Sequence, residues 1–140
     1  MNPAGKKTIL VADDEPDMRT FVATVLETSG YAVREAEDGT AAVALARKDP
    51  PDAVVLDIMM PRIEDGMQAY LALRQDPRTA AVPIVMLSAI ARKTFFHSLK
   101  NLVPESSGAV REPDGYLEKP PDAADLRSLL SRVLASGDKR

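Results

Sequence analysis

Several short apolar runs in this chain stop at residues able to do chemistry. Thr8-Ile9-Leu10-Val11-Ala12 runs into Asp13 and Asp14, and Ala53-Val54-Val55-Leu56 runs into Asp57. Pro83-Ile84-Val85-Met86-Leu87 ends at Ser88, and Tyr116-Leu117-Glu118 leads into Lys119. Taken singly, each has a plain explanation. An Asp there is ordinarily a helix cap or turn residue, a Ser a turn residue bonded to backbone, and a lone Lys a solvated surface group. Five such groups at the ends of strands in one parallel sheet would instead share a rim. Three carboxylates brought together repel, so one takes up a proton or a cation neutralises them. With oxygen ligands only, a hard ion such as Mg²⁺ is the natural cation. A carboxylate beside it can act as a nucleophile toward phosphorus. Phosphoryl transfer then needs mainly positioning and neutralisation of the equatorial oxygens, which a metal, an ammonium and a hydroxyl supply.

The elements that would position these groups alternate between strand-like and helix-like patterns. The first run is continuous in apolar residues, as suits a strand covered on both faces. Asp14-Glu15-Pro16-Asp17 is a helix start, with Pro in the first turn and acids complementing the dipole. Met18, Phe21, Val22, Val25 and Leu26 follow at helical spacing, and Ser29-Gly30 ends the helix. Tyr31-Ala32-Val33-Arg34-Glu35-Ala36 reads as a second strand, and residues 41–48 as an Ala-rich helix broken by Pro50-Pro51. The third strand ends at Asp57, and residues 66–75 predict a third helix. The fourth strand opens at Pro83, where a missing donor is tolerated. Phe95, Phe96, Leu99, Leu102 and Val103 have helical spacing, and residues 104–114 read as an exposed loop. Tyr116-Leu117-Glu118 is a short fifth strand, and Leu126, Leu129, Leu130, Val133 and Leu134 form the stripe of a last helix before a polar tail. A βα unit repeated five times predicts an α/β fold, a parallel sheet with helices on both faces. Its site lies at the carboxyl ends of the strands, beside the switch point in strand order.

Composition agrees with this and excludes several function classes. A length of 140 residues argues for one domain, here residues 7–136 with polar tails at 1–6 and 137–140. The net charge of −3 argues against a direct nucleic-acid binder, which would show a basic face. With no cysteine, disulfides and thiolate metal sites are out. No apolar stretch approaches the ~18 residues of a membrane span, so a cytoplasmic protein without membrane insertion is expected. His97, the only histidine, lies next to Phe95 and Phe96 and away from the strand-end rim, which makes it a structural or surface residue.

Here the motifs become specific. Ile9-Leu10-Val11-Ala12-Asp13-Asp14-Glu15, then Val55-Leu56-Asp57 followed by Met60-Pro61, the Ser88-Ala89 strand end, and Gly115-Tyr116-Leu117-Glu118-Lys119-Pro120 occur in order. Over about residues 7–134 the chain resembles the receiver domain of two-component response regulators, in particular single-domain, chemotaxis-regulator-like receivers. The resemblance implies a flavodoxin-like, doubly wound five-stranded parallel sheet in the order 2-1-3-4-5 with five helices. It implies that Asp57 is the phosphoacceptor, that Asp14 is a direct ligand of Mg²⁺, and that Asp13 reaches the metal mainly through water. Asp57 itself and the backbone carbonyl of Met59 would complete the protein ligands. Ser88 would turn toward the phosphoryl group, Lys119 would pair with a phosphoryl oxygen, and Tyr116 would be the aromatic switch that moves inward. The Lys119-Pro120 bond is expected to be cis, an isomer accessible before Pro. The donor would be a phosphohistidine on a histidine kinase or histidine phosphotransfer protein. The readout surface, for a downstream protein partner, would be the fourth helix, fifth strand and fifth helix. A monomer or weak homodimer is expected. Because the chain ends soon after the last helix, a single-domain regulator is expected too; as a signalling module it would catalyse only its own phosphorylation and dephosphorylation.

Two rival readings fit less well. An Asp-based phosphohydrolase would carry an Asp-x-Asp motif early in the chain, whereas Asp13 and Asp14 are adjacent and the nucleophile candidate lies on the third strand. A flavodoxin-like cofactor binder needs a Ser/Thr/Gly-rich phosphate loop after the first strand, where Asp13-Asp14-Glu15-Pro16-Asp17 would instead repel phosphate. The chain also departs from the family it resembles. Asp57-Ile58-Met59-Met60-Pro61-Arg62-Ile63-Glu64-Asp65-Gly66 is one residue longer than the usual Asp-x-x-Met-Pro-x-x-Asp-Gly, and the stretch from Ser88 to Lys119 is longer than usual. Met59 and Ile90 occupy positions that influence phosphoryl loss in the family, and both are apolar here. Such side chains would hinder the attacking water. Replacing both with polar residues is expected to shorten the half-life of the phosphorylated protein; an unchanged half-life would remove the idea.

Overall fold

Each apolar run folds as a strand. The computed structural model describes residues 6–59, 62–89, 93–94 and 112–138. Its elements are β1 (Thr8–Ala12), α1 (Pro16–Thr28), β2 (Ala32–Ala36), α2 (Gly39–Lys48), β3 (Ala53–Asp57), α3 (Ile63–Gln75), β4 (Ile84–Ser88), β5 (Gly115–Glu118) and α4 (Ala123–Asp138). All five strands are parallel, in the order β2-β1-β3-β4-β5. The order reverses between β1 and β3, so their carboxyl ends flank the switch point.

The side-chain period of two sorts the apolar runs onto two faces. Leu10, Ala12, Val54, Leu56, Ile84 and Met86 pack in one layer with Ala42 and Ala46 of α2 and Met67, Tyr70 and Leu73 of α3. Ile9, Val11, Val55, Val85 and Leu87 pack in the other with Val22, Val25 and Leu26 of α1 and Leu126, Leu130 and Val133 of α4. Full burial of each larger side chain contributes about 1.5–3 kcal/mol. Register matters for the chemistry as well, because a one-residue slip would carry Asp57 to the opposite face.

Several element ends differ from the sequence expectation, each for a local reason. The α2 helix starts at Gly39 because the Asp38 carboxylate accepts from the Ala41 N–H at 2.7 Å. The α3 helix starts at Ile63, not at 66, because the Asp65 carboxylate reaches back to the Arg62 N–H at 3.1 Å. The α4 helix begins after Asp122, whose Oδ1 accepts from Ala124 N–H at 2.7 Å, and it runs through Asp138 into the expected polar tail. Gly30 takes φ +96°, the left-handed helix end that its residue type suggested. The expected fourth helix, with Phe95, Phe96, His97, Leu99, Leu102 and Val103, lies outside the described residues, as do Ile90, Met60 and Pro61.

The expected exposed loop 104–114 ends in an anchor. The Asp114 carboxylate accepts from Ile84 N–H at 2.8 Å and from Arg74 Nη2 at 2.8 Å. Arg74, almost fully buried, also donates to the Val82 and Ala80 carbonyls and lies over the Tyr70 ring. This knot ties the end of α3 to the starts of β4 and β5.

Gly66, in the first turns of α3, is where that helix meets the strand carrying Asp57. A Cβ at Gly66 would land on the Ile58 backbone carbonyl, which cannot move aside like a side-chain tip. Helix propensity alone makes Gly→Ala stabilising by about 1 kcal/mol. Here overpacking dominates, and Gly66→Ala is expected to destabilise by a net of about 1–3 kcal/mol in urea unfolding. A stabilised variant would show that α3 does not approach Ile58 this closely.

Candidate functional site

Sheet register brings the acids together. Ala12 pairs with Leu56, so Asp13 emerges beside Asp57 at the carboxyl end of the sheet. Asp57 pairs with Leu87 and Ser88 with Glu118, and the Lys119 N–H donates to the Ser88 carbonyl at 2.7 Å. Five residues from four strand ends therefore meet at one rim, as the sequence suggested.

The backbone under Asp13 is held on two sides. Its N–H donates to the Ala36 carbonyl at 3.1 Å, and its own carbonyl accepts from Arg19 Nη1 at 2.8 Å. Arg19 is tied in turn to Glu35 at 3.1 Å. Asp13 Oδ1 accepts from Glu15 N–H at 2.9 Å, which fixes the turn into α1. Asp57 Oδ1 accepts from Met59 N–H at 3.2 Å. The other oxygen of each acid, Asp13 Oδ2 and Asp57 Oδ2, is buried and lacks a partner in good hydrogen-bond geometry. Both lie 3.2 Å from Lys119 Nζ, at ion-pair distance. Lys119 Nζ also donates to Glu15 Oε1 at 2.8 Å.

Asp13, Asp14, Glu15 and Asp57 each offer a carboxylate oxygen, and these oxygens lie within 4.8 Å of one another. Four acids so close to one ammonium leave the rim strongly negative. Two buried oxygens that share a single ammonium, in an all-carboxylate donor set, fit a hard divalent cation, with the Met59 carbonyl two residues beyond Asp57 in the chain. The Lys119-Pro120 peptide is cis, as expected.

Ser88 is fully buried, and its hydroxyl and that of Tyr116 are hydrogen-bonded. Tyr116 is part-buried against the layer formed with α2 and α3. Met59 is exposed beside the rim. Sequence reasoning read Glu15 only as part of the acidic helix start and gave no role to Arg19. The adjacency of Glu15 to the acid pair was a signal, but its contact with a lysine 104 residues away was not readable.

Charge crowding shows in the titration of Asp57. Burial, and then the charge of Asp13, push its carboxyl up to about 7, against the pull of Lys119 and the Met59 amide. Burial alone would lower the Lys119 ammonium, but the hydrogen bond to Glu15 and the charges of Asp57 and Asp13 hold it above its ordinary value. Raising an acid's pKa on folding destabilises the native state wherever that acid must ionise. The cost is absent below the unfolded value of 3.8, grows with rising pH and is complete above about 7. In chelator-treated protein, Asp57→Asn is expected to raise stability at pH 8 by about 1–3 kcal/mol. The gain shrinks as pH falls through 7 and vanishes near pH 4. Urea midpoints across that range test this, and a pH-independent gain would contradict it.

Comparison with known proteins agrees with this geometry. The response regulator receiver domain model matches residues 9–131. A probable transcriptional regulator, ycf27, of Galdieria sulphuraria is 34% identical over 134 residues, covering 96% of this chain and 48% of that protein. The chain thus spans about half the length of the curated relatives it matches. A putative response regulator from Chloroflexus aurantiacus J-10-fl superposes with a TM-score of 0.77 at 30% identity, covering 93% of this chain and 98% of that one. The receiver domain of sensor histidine kinase PA1611 from Pseudomonas aeruginosa PAO1 gives a TM-score of 0.79 at 27% identity, covering 94% and 99%; its active site cleft coordinates a magnesium ion. With the sheet order, the acidic rim and these matches in agreement, the chain belongs to the response regulator receiver domain family of two-component signal transduction.

Proposed function

We propose that Asp57 accepts a phosphoryl group, reversibly, from a phosphohistidine on a histidine kinase or histidine phosphotransfer protein. The observation that carries this reading is the meeting of Asp57, Asp13 and Lys119, with Lys119 Nζ 3.2 Å from both carboxylates. Attack by an Asp57 oxygen forms a P–O bond as the P–N bond to the donor imidazole breaks, and the imidazole leaves with the bonding pair. Mg²⁺, held by Asp14, Asp57 and the Met59 carbonyl with Asp13 acting mainly through water, would neutralise charge on the phosphoryl oxygens. Lys119 takes one phosphoryl oxygen, and the Ser88 hydroxyl, released from Tyr116, takes another. Tyr116 then follows Ser88, which biases a two-state equilibrium in the last two βα units. The readout surface in this reading is β5, α4 and the segment between β4 and β5, facing a downstream protein partner. Among the described residues no helix is long and apolar enough to cross a membrane.

In this reading the domain acts as a switch on itself, catalysing only its own phosphorylation and dephosphorylation. Asp57 is buried and the rim is acidic, so a free phosphate ester meets repulsion unless a metal is bound. Incubation with acetyl phosphate and Mg²⁺, followed by intact-mass measurement, should give a single phosphoryl adduct. That adduct is expected to be lost in Asp57→Asn and when the metal is chelated. An adduct that persists in Asp57→Asn would sink the reading.

A further inference from the structure

Lys119 has a third partner that the phosphoryl chemistry does not use. Its ammonium carries three protons, and three carboxylates surround it: Glu15 at 2.8 Å and Asp13 and Asp57 at 3.2 Å each. A phosphoryl oxygen arriving on Asp57, whose own carboxylate charge is spent in the new bond, therefore competes with Glu15 and Asp13 for the ammonium. The three differ sharply in solvent contact. The Glu15 side chain is 63% exposed, whereas those of Asp13 and Asp57 are 2% and 1% exposed. A buried carboxylate that loses its counter-ion stays desolvated, while an exposed one is rehydrated at little cost. Glu15 is thus the partner that can leave for solvent, while Asp13 stays buried beside the metal position and Asp57 carries the phosphoryl group itself.

Local structure supports the assignment. Glu15 stands at the N-cap of α1, where its charge complements the helix dipole and a shorter acid would bond the first helical N–H groups. It makes no such cap bond and spans the cleft to Lys119 instead. Its backbone stays fixed by the Asp13 carboxylate, so the side chain can swing without disturbing the turn.

We propose that Glu15 is a releasable counter-ion that holds Lys119 in the unphosphorylated site, is displaced by the incoming phosphoryl oxygen, and thereby sets how readily Asp57 is loaded. The proposal rests on Asp57 being the phosphoacceptor. Glu15 opposes loading in two ways of the same sign: it competes for Lys119, and its charge repels the anionic donor. It is a positioning residue, acting through Lys119. Because Glu15 is exposed, the effect is modest and screened by salt.

The test compares wild type, Glu15→Gln, Glu15→Ala and Asp57→Asn, with Mg²⁺ raised until rates stop changing. Two quantities are read: the rate of adduct formation from acetyl phosphate by intact mass, and the affinity for beryllofluoride, a phosphoryl mimic that is not transferred, by calorimetry. Both Glu15 variants are expected to load about three- to tenfold faster and to bind beryllofluoride tighter by a similar factor at low salt, with the gap closing near 0.5 M salt. Unchanged or slower loading in both variants, with wild type loading normally, would overturn the role of Glu15 alone. If wild type takes no phosphoryl group, or Asp57→Asn takes one, the phosphoacceptor reading fails and this proposal with it.

Discussion

Charge crowding at the carboxyl rim is the constraint on which the rest depends. Four acids, Asp13, Asp14, Glu15 and Asp57, face one ammonium, Lys119, and two of the acids are buried. Like charges at such separations repel by roughly 1 kcal/mol in bulk water and several times that near a protein surface. No arrangement of the described side chains removes that repulsion; Lys119 only shares itself among three acids. The site is therefore held in a costly state by the fold, and that cost falls when positive charge arrives. In the proposed function that is how the rim answers to a cation, and through the cation to a phosphoryl group.

Holding such a rim requires a scaffold that cannot relax. Asp57 ends a strand whose every residue is buried, so it cannot turn away without losing the packing of Val54, Val55 and Leu56. Asp13 is pinned at both N–H and carbonyl, the latter by Arg19. Gly66 lets α3 press on the Ile58 carbonyl directly beyond Asp57. Far from the rim, the Arg74–Asp114 knot fixes where β5 begins, and β5 delivers Lys119. In the Arg74–Asp114 knot the buried charges neutralise each other, whereas the rim sets four acids against one ammonium.

Much of this was legible in the sequence, and what was missed has identifiable causes. The strands were readable because a strand covered on both faces must be apolar until it reaches its polar rim, as Val54-Val55-Leu56-Asp57 does. Helix ends were less so, because single carboxylates set them: Asp38, Asp65 and Asp122 each cap backbone N–H groups that no periodicity marks. The gathering of Asp13, Asp14, Asp57, Ser88 and Lys119 followed from strand order. The contacts of Glu15 with Lys119 and of Asp114 with Arg74 did not, since they join residues far apart whose side chains have no pattern of their own. Asp114 looked like part of a polar loop because an acid in a Gly- and Pro-rich stretch reads as solvated, whereas its carboxylate is spent on a strand amide and a buried guanidinium.

Lys119 joins the rim to the rest of the domain. Its ammonium sits among the acids, while its backbone N–H is bonded to the Ser88 carbonyl at 2.7 Å. Ser88 in turn shares a hydrogen bond with Tyr116, three residues before Lys119 and packed against the α2–α3 layer. Any redistribution of charge that draws the Ser88 hydroxyl toward the rim leaves the Tyr116 hydroxyl without that partner. A part-buried phenol must then find another or move, because leaving it unsatisfied costs about 1–3 kcal/mol. That is enough to shift a balanced two-state element by tenfold or more. The coupling needs no long chain of contacts. In the proposed function it follows from placing Tyr116 on β5 and Lys119 just past its end, each hydrogen-bonded to the same serine.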